Sequence, residues 1–413
     1  MAELGRFDMR RYDKRMIRLA VLFLAALFFS CGISTTGPGN RATTTVPGSP
    51  TGVAATAGNS QAVVSWLAPD SNGGSAITGY VATAVQDTSK HCTTSALICT
   101  VMNLSNGTAY TFTVVAINAK GASSPSLPST AVTPTGPGMT WTSRTSGAGY
   151  NLTFLFWTGP STGSGTGQIV GVGSAIFTSP DGLTWTQRTG SFAGALNSVT
   201  GSSNQLVGVG FFPTFAVSST GASWTINDTS SYTLNSVTWM GSQFVAVGYG
   251  GTILTSPNGI SWSPQVSGTT NSLASVVWTG TQLVAVGAAG SVLTSSNGKN
   301  WVVKTSGTNK DLKSIAWADH QWVAVGKGGF ITTSSDGGTW TPQNSGTTND
   351  LNSVVWSGIQ LVAVGTNGTI LTSPDGLTWT SRVSGTTDFL HSVTWTGTRF
   401  VIASPNNNVL TSP

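Results

Sequence analysis

A tryptophan returns along the second half of this chain at near-constant spacing. Trp185, Trp224, Trp262, Trp301, Trp340 and Trp379 are separated by 39, 38, 39, 39 and 39 residues. Such a period means stacked copies of one supersecondary unit, none of which can bury its apolar face alone. One copy reads Leu234-Asn235-Ser236-Val237-Thr238-Trp239, then Phe244-Val245-Ala246-Val247-Gly248, then Gly251-Thr252-Ile253-Leu254-Thr255-Ser256. It closes with Pro257-Asn258-Gly259-Ile260-Ser261-Trp262. Short β-branched runs bounded by Gly, Asn or Asp are strands and turns, four strands to a copy. No segment shows the 3.6-residue apolar pattern that a helical solenoid would need. The expectation is an all-β chain whose larger part is a propeller of four-stranded blades.

The ends of the repeat set the number of blades. Residues 409–413 read as a third strand lacking its fourth, and residues 138–144 as a fourth strand lacking its first three. Joined, they match residues 371–380, so Trp141 becomes the seventh closing tryptophan. The sequence thus predicts a seven-bladed β-propeller over residues 136–413, closed by pairing of its N- and C-terminal strands. Closure of that kind removes the open sheet edge between first and last blade.

The closing turn is Ser-Pro-Asp-Gly-x-x-Trp at residues 179–185 and 373–379, with variants at 218–224, 256–262, 295–301 and 334–340. Asp or Asn can bond its own backbone two residues on, and glycine supplies the positive φ of a tight turn. The motif resembles the Asp-box, or bacterial neuraminidase repeat, with one residue fewer between Ser and Trp. Asp181, Asp336 and Asp375 therefore belong to folding turns and are not catalytic candidates. The extended unit, Ser-Gly-Thr-Thr…Leu-x-Ser-Val-x-Trp…Val-Ala-Val-Gly, is similar to the propeller of photosystem II stability/assembly factors. Those factors carry an arginine-rich patch, whereas Arg144, Arg188, Arg382 and Arg399 are scattered along this repeat.

The other end of the chain is an export segment. Residues 1–18 hold six Lys or Arg, and residues 19–29 form an apolar run that stops at Ser30-Cys31-Gly32. That run is too short for a bilayer span of ~20 residues but fits the apolar core of a signal peptide over residues 1–30. Met9 and Met16 are alternative starts that keep a basic leader. Cys31 after a small residue resembles the lipobox of bacterial lipoproteins, which implies a diacylated cysteine as the mature N-terminus. An ordinary secretory signal is the alternative. Gly32 is not the Asp associated with inner-membrane retention, so the resemblance points to the outer membrane or cell surface. Residues 31–46, small and polar with proline, read as a flexible tether.

Between tether and repeat, residues 47–135 hold short strands with turns, as an antiparallel sandwich does. Ala62-Val63-Val64-Ser65-Trp66, Ile77-Thr78-Gly79-Tyr80-Val81 and Leu104-Ser105-Asn106-Gly107-Thr108-Ala109-Tyr110 resemble a bacterial fibronectin type III domain. Trp66 would be its core tryptophan, with Leu104 and Tyr110 in its tyrosine corner. With Cys31 assigned to lipid, Cys92 and Cys99 remain as a pair suited to a disulfide in an oxidising compartment. A metal site would want more ligands than the neighbouring His91.

Charge narrows the partners. Only 8% of the 413 residues are charged, against about a quarter in typical proteins. Of 18 Lys and Arg and 13 acids, six and three lie in the first 30 residues, leaving 12 against 10 from Cys31 onward. The formal charge of +5 thus describes mainly the export segment, and nucleic acid drops out as a partner. A sialidase needs a tyrosine–glutamate pair, but the one glutamate is Glu3, lost with the signal. A glycosidase needs two nearby carboxylates, whereas Asp311, Asp350 and Asp388 fall in the same connecting segment of successive copies. No phosphate loop, nucleophile elbow or metal cluster appears, and no cofactor is expected. The expectation is a monomeric, non-catalytic module binding protein or polysaccharide. A glycan-processing hydrolase and an envelope or membrane assembly factor are the alternatives. The loops where the copies diverge supply the candidate face: Phe211, Phe212, Tyr249, Lys327 and Asn367 between second and third strands, and Lys310, Asp388 and Phe389 between blades. Metabolic labelling with a tagged fatty acid should mark the chain in a bacterial host, and Cys31→Ala should abolish the label. Labelling that survives this substitution refutes the lipobox reading.

Overall fold

The computed structural model describes residues 43–145, 151–159, 167–189, 194–211, 215–227, 231–405 and 408–412. The expectations for the export segment and Cys31, and that for Phe212, lie outside these residues.

Strict alternation of buried and half-buried positions in Phe112–Asn118 marks a strand covering a core on one face. It joins His91–Thr94, Ile77–Ala84 and Gly121–Ala122 in one sheet, against a second sheet of Thr51–Gly58, Gln61–Leu67 and Ile98–Met102. Trp66, Tyr80, Leu104, Tyr110 and Phe112 are buried between the sheets, with the rings of Trp66 and Tyr80 centred 5.5 Å apart. The Tyr110 hydroxyl accepts from the Ser105 N–H at 3.2 Å, which pins the corner before the last long strand. Cys92 and Cys99 form a disulfide. The two cysteines stand on edge strands of opposite sheets, so the bond clips one side of the sandwich shut. The other side is covered by Ser123, Ser126 and Ser129, whose hydroxyls take the N–H groups of Ala116, Val114 and Phe112. A three-residue period with Pro125 and Pro128 between is that of an extended polyproline segment, not of a pleated strand.

The connection to the repeat is bonded at both ends. Gly107 N–H donates to the Pro134 carbonyl at 2.8 Å, and Gly138 N–H to the Ser412 hydroxyl at 2.6 Å.

Seven four-stranded antiparallel sheets follow among the described residues. Six use consecutive strands. The seventh takes Ser392–Trp395, Phe400–Ala403 and Asn408–Ser412 from the end of the chain and Thr142–Thr145 from before the first sheet. The second strand of a sheet, such as Phe244–Gly248 or Leu361–Gly365, is buried along its whole length because neighbouring sheets cover both faces. Its terminal glycine has a steric cause: a Cβ on Gly248 would lie 2.2 Å from the Thr233 carbonyl oxygen.

Adjacent sheets are held by polar rungs as well as by apolar packing. The first strand of each sheet is an edge, with N–H groups that its own sheet cannot satisfy. The N–H groups of Val237, Val276, Val354 and Val393 donate to the hydroxyls of Ser198, Ser236, Ser314 and Ser353 of the preceding sheet at 3.1–3.3 Å. Leu155 N–H makes the same bond to Ser392 at 3.2 Å, linking the first sheet to the last. A second set runs from the amides of Asn197, Asn235 and Asn352 to the carbonyls of Leu234, Leu273 and Leu390 at 2.8–2.9 Å.

One sheet carries a defect. Thr332 stands where its siblings have Leu254, Leu293 and Leu371, and its fully buried hydroxyl has no partner. An unsatisfied buried hydroxyl costs on the order of 1–3 kcal/mol. Thr332→Val, equal in shape without the hydroxyl, should raise stability by about 1 kcal/mol in denaturant unfolding. A loss of stability would show that the hydroxyl has a partner.

Candidate functional site

The six sheets built of consecutive strands turn from third to fourth strand on one plan. In the turn at residues 334–340, the Ser334 hydroxyl accepts from Gly337 N–H at 2.9 Å and the Asp336 carboxylate from Gly338 and Thr339 N–H, both at 2.8 Å. The Trp340 indole N–H then returns to the Gly337 carbonyl at 3.1 Å. Asp375 and Asn297 accept equivalent pairs of N–H groups, so the aspartates do an amide's work. The bond from Thr339 N–H leads the causes that hold Asp336 at a pKa of about 2. The turns also tie sheets together, since Gln205, Gln243 and Gln282 donate to the carbonyls of Asn258, Asn297 and Asp336 in the following sheets.

At the opposite end of the sheets lie the divergent loops. After the second strand, the loops at Tyr249–Gly251, Ala288–Gly290 and Lys327–Gly329 share one backbone path. Their middle residues Gly250, Ala289 and Gly328, with Asn367 in the next sheet, all have φ between 51° and 64°. Each loop starts with an N–H returned to the residue before the first strand, as from Tyr249 to Thr233, Lys327 to Asp311 and Thr366 to Asp350. On this constant frame only the side chains change. Tyr249 is 67% exposed, Phe211 58% and Phe389 41%, and Lys310, Lys327 and Asn367 are also exposed. Lys310 reaches over the Phe330 ring at 5.5 Å, Asn367 donates to Asn349 at 3.1 Å, and Phe389 lies against His391 at 4.7 Å. Burial holds His391 below the usual histidine pKa. Asp388 is the least open of the candidates: its carboxylate accepts from Ser404 and its carbonyl from Gly368 N–H. The face thus carries its candidate groups at positions spread over successive sheets, with Lys310 and Lys327 meeting at one loop.

Asp311 and Asp350 have a use that their spacing concealed. Their carboxylates accept the N–H groups of Ala289 and Gly328 in the preceding sheet at 2.9 and 2.8 Å, fixing those loops from the side. Asp350 also pairs with Lys313 at 2.9 Å, and its pKa is lowered first by the Gly328 bond and then by that lysine. Three of the four arginines share one register position beside a third strand, while Arg399 lies in the turn before Phe400–Ala403. Arg144, Arg188 and Arg382 each donate through Nε to a third-strand threonine, as Gln265 and Gln343 do in other sheets. Among the described residues no group of three or more His, Cys, Asp or Glu could hold a metal.

The loop face and the first strands each hold a concave place. A polar recess of about 750 Å³ lies among Asn349, Asn367, Thr369, Arg382 and Thr386 on the loop face. A cavity of about 560 Å³ lies among the first strands, between the serine rungs and the tryptophans that end those strands. Sequence reasoning passed over this second site, although the Val-x-Trp that builds it recurs with the period of the repeat.

A fibronectin type III domain model matches residues 48–132. No curated protein matches the chain. Among solved structures, YCF48 bound to D1 peptide is similar with a TM-score of 0.55 and 17% identity, over 66% of this chain and 96% of that one. A chain of the mitotic checkpoint complex is similar with a TM-score of 0.52 and 13% identity, over 65% of this chain and 93% of the other. Likeness at this identity establishes a propeller-like fold and leaves function to the site.

Asp336→Ala should destabilise the protein by about 1 kcal/mol through loss of a turn acceptor, while Asp336→Asn should be near neutral because Asn297 fills the same role. With its folded pKa near 2 and the ordinary value near 3.8, Asp336 contributes stability above pH 4 that fades as pH falls towards 2. Thermal melts of the native and D336N proteins should therefore coincide above pH 4 and separate over that interval, with the native protein losing stability that D336N keeps. Parallel curves would mean that the carboxylate is not engaged in the fold.

Proposed function

We propose that this chain is a non-catalytic binding module of the bacterial envelope. In this reading a fibronectin type III spacer, held by a lipid on Cys31, carries a seven-bladed propeller closed by its terminal strands. The ligand is a peptide or protein segment received by the loop face. The observation that carries the reading is one backbone path offering a different side chain in each sheet: exposed Tyr249 and Lys327 and half-buried Ala288 and Thr366 at equivalent places. Rigid loops with varied side chains suit recognition, since little ordering entropy is spent on binding. Similarity to a propeller bound to a peptide and to a chain of a protein assembly supports the same reading. An assembly factor for a membrane complex is the neighbouring alternative. Its arginine-patch chemistry is weakened here by the engagement of Arg144, Arg188 and Arg382 with threonines.

Cross-linking in cells followed by mass spectrometry should place a partner on this face. Tyr249→Ala combined with Lys327→Glu should reduce capture of that partner at least about tenfold, the loss of one aromatic anchor and one charge contact. Capture unchanged by the double variant, or turnover of a glycan substrate that depends on an aspartate, would overturn the proposal.

A further inference from the structure

The tryptophans that end the first strands differ from those that close the turns. Every closing tryptophan, from Trp141 to Trp379, spends its indole N–H on a glycine carbonyl of its own turn. Trp157, Trp278, Trp317, Trp356 and Trp395 donate to nothing among the described residues, yet none of their nitrogens is buried without a partner. Their N–H groups are therefore open to water. Each ring is half-buried, packed on the apolar cluster of its sheet with the remainder uncovered. All five line the axial cavity of about 560 Å³.

The rest of the wall is uncharged. Its lining mixes apolar residues, among them Phe156, Val237, Val276 and Val354, with hydroxyl residues such as Thr200, Thr238, Ser236 and Ser353, and holds no Asp, Glu, Lys, Arg or His. The serines accept N–H groups from neighbouring strands, which leaves their own protons free to donate. The ring is also uneven. The second sheet ends its first strand with Gly201 instead of tryptophan, and Thr200 and Thr238 line the wall on that side. One side of the cavity thus offers indole faces and donors together with hydroxyls, the other hydroxyls and valines without indoles.

We infer that this cavity is a binding site for an uncharged carbohydrate. A charged ligand would find no counter-ion on the wall. An alkyl chain or apolar peptide would strip water from the serine and threonine hydroxyls and the indole N–H groups without replacing their bonds, at a cost for each. A neutral pyranose has apolar C–H faces for the indoles and hydroxyls for both donors and acceptors. The volume lies within the range of small-ligand sites. The site lies at the turn end of the sheets, opposite the loop face, and does not depend on the partner proposed for that face.

The test titrates the full chain with neutral hexasaccharides of β-1,4-glucose, α-1,4-glucose and β-1,4-N-acetylglucosamine, read by tryptophan fluorescence and calorimetry. At least one should bind and shift the emission. Trp356→Phe should retain most of the affinity, and Trp356→Ala should weaken it about tenfold, the loss of one stacked ring. Gly201→Trp, which completes the ring without removing any packed side chain, should alter affinity while leaving the thermal midpoint near native. No binding by any of the three sugars at millimolar concentration overturns the inference. So does tighter binding of a neutral alkyl glycoside through its chain, seen as affinity that rises with chain length. Binding that Trp356→Ala and Gly201→Trp both leave unchanged places the sugar elsewhere and also refutes it.

Discussion

The structure depends on how the inner edge of each sheet is satisfied. A four-stranded sheet with its first strand unpaired would leave a row of backbone donors that neither its own sheet nor apolar packing can answer. Here the neighbouring sheet answers them with a serine hydroxyl, at Ser198, Ser236, Ser314, Ser353 and Ser392. The Ser392 bond joins the last sheet to the first and performs the same task as the others. Asparagine amides and glutamine-to-turn bonds add further layers to the same contact. This explains how a chain with so few charges can be ordered. Its specificity lies in neutral hydrogen bonds repeated from sheet to sheet.

The same repetition separates residues that hold the fold from those free to vary. Asp311 and Asp350 look like members of a variable surface, yet both hold a loop of the preceding sheet. Lys310 is partly used against Phe330 and Asp388 by Ser404, whereas Tyr249, Lys327 and Phe211 reach solvent from fixed backbone. Departures from the repeat carry more information than the repeat itself. Gly201, Thr332 and His391 each replace a residue that the sibling sheets use, and each leaves an opening, an unpaired hydroxyl or a half-buried imidazole in its place.

The fold was far more legible than the site. A 39-residue tryptophan period and short β-branched runs were enough for the four-stranded unit, because both report local turn chemistry and strand pattern. The sandwich was equally plain from Trp66, Leu104 and Tyr110, and the Cys92–Cys99 bond from the count of cysteines. The roles of Asp311 and Asp350 were not legible, since each acts on a residue 22 positions earlier in a different sheet. The axial tryptophans were visible as letters, but a periodic tryptophan reads as core in a sequence. Only the position of the first strands around a common cavity shows that these rings are half-open.

The sequence by itself determined the elements, the turns and the sparse charge, because those follow from local propensity and from counting. Tertiary structure decided which polar groups remain free. Whether an indole N–H, a carboxylate or an arginine is available to a ligand depends on what the neighbouring strand or sheet offers it. That neighbour lies from a few to more than two hundred residues away in the chain.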